Sequence, residues 1–93
     1  MPDFFAILAF YYACDSAAMS GALTREQITY CSHAYEQVKT HFLSEEELAA
    51  LEGLTIAERS VRVRKGYLRF KRWEEANPDI VASLKNRALG EVV

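Results

Sequence analysis

Four cations, Arg62, Lys65, Arg69 and Arg72, recur at spacings of three, four and three. If the segment is helical, that spacing puts them on one face. Seven of the chain's eleven Lys and Arg residues fall between Arg59 and Arg72. A cationic helix face can grip the phosphates of a nucleic acid, with an affinity that falls steeply with salt. It can also meet the carboxylates of an acidic protein partner. The plainest account is a solvated face paired with the chain's own acidic stretch, Glu45–Glu47, which sets orientation and contributes little stability. Beyond that account, an acidic protein partner is favoured over nucleic acid. The stretch "LAALEGLTIAERSVRVR" has the glycine of a helix-turn-helix. The positions six and nine residues after Gly53, which should be apolar to seat a reading helix, are instead Arg59 and Arg62.

Other chemistry-bearing side chains are sparse. Cys31, His33, Glu36 and His41 are the only cluster with metal-ligating types. Cys31 and His33 point to different faces of a helix, and two shared positions do not make a site, so no metal is expected. No Gly-rich phosphate loop, nucleophile elbow or Cys–His pairing is present. The expectation is a non-enzymatic chain with no cofactor. Cys14 and Cys31 lie in apolar segments. A helical hairpin turning about residues 20–23 would bring them to similar heights, where an oxidising compartment would let them pair. The reading adopted is two small, buried, reduced thiols in a cytoplasmic protein.

The elements that must carry these groups are announced by capping signals. "TREQ" from Thr24, "SEEE" from Ser44 and "TIAE" from Thr55 each place a hydroxyl three residues before Glu or Gln, the pattern of a reciprocal cap. "NPDI" adds Asn77 as a cap with Pro78 in the first turn. Gly21, Gly53 and Gly90 supply stops. The chain therefore reads as a single all-α domain over 1–93, a compact bundle of four to five helices at about 3–19, 24–43, 45–52, 55–76 and 78–89.

The cationic segment alternates as "SVRVR" and so offers a strand reading. The cap at Thr55 and the arc formed by Ile56, Val63, Tyr67, Phe70 and Trp73 favour a helix. Val61 and Leu68 fall off that arc. Gly66 falls on it, where the missing side chain would let another helix approach closely. Helix 2 carries the stripe Ile28, Cys31, Tyr35, Val38 and Phe42. Helix 3 offers Leu48 and Leu51, and helix 5 offers Ile80, Val81, Leu84 and Ala88. Helix 1 is apolar on nearly every side. Such a helix is either central to the core or shared with a second copy, and Phe4, Leu8, Tyr11 and Tyr12 would form the contact in a homodimer.

The net charge of −2 hides a division. Residues 1–52 carry Arg25 and Lys39 against eight carboxylates, and the remainder carries nine cations against five. The simplest arrangement has these halves facing each other. The apolar run from Phe4 to Cys14 is too short to cross a bilayer, and Asp3 stands where a signal peptide would place a cation, so no membrane partner is expected. Together these features point to a small protein–protein interaction module, an adaptor, regulator or inhibitor working through Arg62, Lys65, Arg69 and Arg72. Nucleic-acid binding through the same face is the alternative.

Overall fold

Three reciprocal caps fix three helix starts. At Thr24, Ser44 and Thr55 the hydroxyl accepts from the backbone N–H three residues on, and the side chain of Gln27, Glu47 or Glu58 accepts from the cap's own N–H. Each pair satisfies two donors that a helix end otherwise leaves unpaired. The computed structural model describes residues 3–92, with side chains described through 87. Its helices are α1 (Phe4–Met19), α2 (Arg25–His41), α3 (Glu45–Ala49), α4 (Ile56–Ala76) and α5 (Pro78–Val92). The described residues contain no strand, and the chain is an all-α bundle.

The stops hold in part. Gly21 (φ 73°) and Gly53 (φ 75°) take the left-handed conformation that ends α1 and reverses the chain after α3. Gly90 does not stop α5, which runs on to Val92. A glycine weakens a helix by about 1 kcal/mol but does not by itself end one. Asn77 also differs from expectation. Its side-chain amide donates to the Trp73 carbonyl at 2.8 Å, so it closes α4 instead of capping α5. No loop separates these two helices, and one residue serves both. α3 ends earlier than expected because the chain tightens at Leu51, whose N–H bonds back only three residues to Leu48. That turn puts the Leu51 side chain in the core.

The main core joins four helices: Leu8, Ala9 and Tyr12 from α1, Val38 from α2, Phe70 from α4 and Leu84 from α5. A smaller cluster of Leu43, Leu51 and Val63 lies at the α3 end. α1 lies against both α2 and α5. It also reaches α4, where the Tyr12 hydroxyl donates to Glu74 Oε2 at 2.6 Å. Burial and that bond to a carboxylate both push the Tyr12 pKa upward. These neighbours on three sides account for the apolar circumference of α1. Two of the four residues expected at a homodimer contact are covered within the chain itself. Leu8 (0% exposed) and Tyr12 (5%) are part of this chain's own core. Phe4 stacks on His41 at 3.8 Å and Tyr11 on Tyr35 at 5.5 Å. The large apolar side chains that α1 does turn outward include Phe5 and Phe10.

α2 and α4 meet at Gly66, as expected. A Cβ added there would collide with the Lys39 carbonyl, lying 2.9 Å from its carbon. Only glycine permits so close an approach. The cysteines differ from expectation: Cys14 and Cys31 are joined in a disulfide, with Cα atoms 5.7 Å apart. The antiparallel α1–α2 hairpin brings them within bridging distance, and that geometry decided what apolar sequence context could not.

Candidate functional site

The structure divides the cationic face of α4 in two. Arg69 is held on both sides: its guanidinium donates to Glu47 at 2.7 and 3.1 Å and to the Phe42 carbonyl at 2.9 Å. It therefore ties the start of α3 to the end of α2, satisfying a carbonyl that α2 leaves open at its C-terminus. Lys65 reaches the same carboxylate at 3.5 Å. Glu47 also serves the α3 cap, accepting from the Ser44 N–H at 2.8 Å. The Arg69 bond, followed by the cap contact, holds the Glu47 carboxyl well below its usual range, at about 2. The same pairing raises the Arg69 guanidinium.

Arg62 and Arg72 are placed differently. Neither forms an ion pair among the described residues. On a wheel of 3.6 residues per turn Arg69 and Lys65 fall between them, and Val61 and Leu68 border the Arg72 edge of that face; those two apolar residues are 75% and 44% exposed. These are the two apolar residues that fell off the arc in the sequence. The face is thus a mixed surface, with an exposed apolar strip alongside two cations that form no salt bridge within the described residues, although the charge of Arg62 is felt by Glu58 four residues before it. Two neighbouring cations are engaged elsewhere, while Arg64, off this face, also forms no ion pair among the described residues. Arg59 grips Glu36 of α2 at 2.8 Å, and Lys71 pairs with Glu74 at 2.6 Å. Glu36 and Glu47 are the points at which the acidic half of the chain faces the basic half.

An open cleft of about 380 Å³ runs between α3 and α4, lined by Leu43, Glu46, Glu47, Ala50, Val61, Arg62 and Lys65. Leu43, Ala50 and Val61 give it an apolar lining. The two acids stand on the α3 side and the two cations on the α4 side. Sequence reasoning found Arg62 and Lys65 but missed the cleft, because it depends on where α3 docks. The exposure of Val61 and Leu68 was the available signal, since both broke the helical pattern.

The remaining candidates take structural places. His41 lies against Phe4, and Cys31 is in the disulfide. Among the described residues, no group of three or more His, Cys, Asp or Glu side chains is placed to hold a metal ion. No described helix is long and apolar enough to cross a membrane. No family model, curated protein or solved structure matches this chain.

Proposed function

We propose that this chain is a small, non-enzymatic protein–protein interaction module, an adaptor, regulator or inhibitor that receives an acidic amphipathic segment of a partner on the outer face of α4. The observation that carries the reading is the pairing of exposed Val61 and Leu68 with Arg62 and Arg72, which have no ion-pair partner among the described residues. A partner helix with an apolar stripe and flanking carboxylates complements that surface in both shape and charge. Its leading apolar side chain fits the cleft beside Val61. Glu46 and Glu47 line the same cleft and repel carboxylates and phosphates alike, so what favours a protein partner over nucleic acid is the exposed apolar strip of Val61 and Leu68, which a phosphate backbone would leave uncovered. The reading makes Arg62 and Arg72 the contact cations, and it assigns Lys65 and Arg69 to holding α3.

Fluorescence anisotropy tests this with two labelled probes at low salt: a designed acidic amphipathic helical peptide and a duplex oligonucleotide. The reading predicts saturable binding of the peptide. Arg62→Glu with Arg72→Glu should weaken it at least about tenfold, the effect of losing two charge contacts, while circular dichroism stays unchanged. Binding of the oligonucleotide alone would transfer the face to the nucleic-acid alternative. Binding of neither would remove α4 as the contact surface.

A further inference from the structure

The α1–α2 hairpin is built in two unequal parts. Toward its open end, Leu8, Ala9 and Tyr12 of α1 and Ala34 and Val38 of α2 are buried. Toward its turn, residues 15–33 include no buried side chain. Burial along α1 ends at Cys14 (8% exposed) and resumes along α2 at Ala34 (4%). The disulfide sits on that boundary. Within the tip, order is local: Gly21 and Ala22 donate back to Ala18 and Ala17, and Thr24 and Gln27 cap α2. Ala17 and Leu23 are half-buried, and the rest of the tip apart from Cys31 is exposed. A segment with so little apolar burial has a low local opening free energy unless something else ties it down.

We infer that Cys14–Cys31 is a reversible thiol–disulfide exchange site that latches the hairpin tip. Access is built in. Two surface depressions, of about 250 and 400 Å³, flank the bridge, and both cysteines line both of them. Cys31 is the more exposed of the two, so its sulfur is the point of attack. The co-reactant is a dithiol. One thiolate of the dithiol attacks Cys31 Sγ, the Sγ–Sγ bond breaks, and Cys14 leaves as a thiolate that takes up a proton. The second thiol then attacks the mixed disulfide and releases Cys31, which is protonated in turn. The chain gains two electrons and two protons, and the dithiol becomes a cyclic disulfide. With the bridge open, residues 15–33 lose their covalent tie between the helices. The core of Leu8, Val38 and Phe70 keeps its apolar contacts. The latch is independent of the reading given to α4.

Hydrogen exchange followed by mass spectrometry tests it on three samples: the oxidised chain, the same chain in excess dithiothreitol, and Cys14→Ser/Cys31→Ser. The expected result is at least about tenfold faster exchange across residues 15–33 in the second and third samples, with residues 63–73 unchanged. Removal of the reductant and reoxidation should restore protection in the wild type. Unchanged exchange at 15–33 on reduction would overturn the latch. So would a loss of protection spread equally over α4, which would make the bridge a global staple, or a bridge that resists the dithiothreitol.

Discussion

Arg69 and Arg72 are three residues apart on one helix, with the same side chain and the same charge, yet they do different work. Arg69 is a structural rivet: a carboxylate takes it from one side and a helix-end carbonyl from the other. Arg72 has no ion pair among the described residues, and neither does Arg62. What separates the two pairs is the position of α3. Its capped start delivers Glu47 to Lys65 and Arg69 and to neither of the outer cations. A charge face read from periodicity alone is therefore an overestimate of the surface available to a partner. The share left over depends on which acids the tertiary fold brings to it.

Several substitutions break or sharpen that contrast. The largest effect belongs to Gly66→Ala, which drives a Cβ into the Lys39 backbone and pushes α2 away from α4. It should cost about 3 kcal/mol, the upper end of overpacking, because a backbone carbonyl yields less than a side chain. It should also disturb both halves of the face at once, visible as a lower urea midpoint. Ser44→Ala removes the hydroxyl that caps α3 and helps aim Glu47. It should cost about 1 kcal/mol in thermal or urea unfolding, and restoration by Ser44→Thr identifies the cap as the cause. Glu47→Gln abolishes the charge shared by Lys65 and Arg69. It should make those two cations resemble Arg62 and Arg72, so that the acidic peptide binds the variant more tightly than the wild type.

The pH dependence follows from Glu47. Its folded pKa is about 2, below the ordinary 4.5, so the unfolded chain takes up a proton first as pH falls. The stability supplied by the Glu47–Arg69 contact is fully present above about pH 4.5 and is lost progressively as pH falls toward 2. Glu47→Gln should remove that component of the acid transition. An acid titration of wild type and variant, followed by circular dichroism, measures the difference.

Much of this was legible in the sequence because capping is local chemistry. Thr24, Ser44 and Thr55 needed only their neighbours three residues on, and all three caps formed. Gly66 was legible because its position on the apolar arc left one structural use for a missing side chain. Two local signals failed as well, Asn77 as the cap of α5 and Gly90 as its stop; the other failures depended on distance. Ile56 belongs to the arc of α4 by phase but is 89% exposed, and Ile28 of α2 is half-exposed. Both lie beyond the reach of the helices that cover Val63 and Val38. The uniform apolar character of α1 did not distinguish a central helix from a shared one. The observed contacts with α2, α4 and α5 made that distinction for Leu8 and Tyr12. The disulfide was hidden for a similar reason: it depends on hairpin register, and the residues around each cysteine say nothing about the other. For the basic face, the sequence supplied both the cations and the acids that meet them, but not which acid meets which cation.

The division of that face is tested most directly by equilibrium urea unfolding of Arg69→Ala beside Arg62→Ala/Arg72→Ala. The expected result is a clear fall in midpoint for Arg69→Ala. The double variant should stay within about 0.5 kcal/mol of the wild type, as surface substitutions without structural partners do. Equal losses in the two variants, or a larger loss in the double variant, would contradict the division of the α4 face into a structural half and a free half.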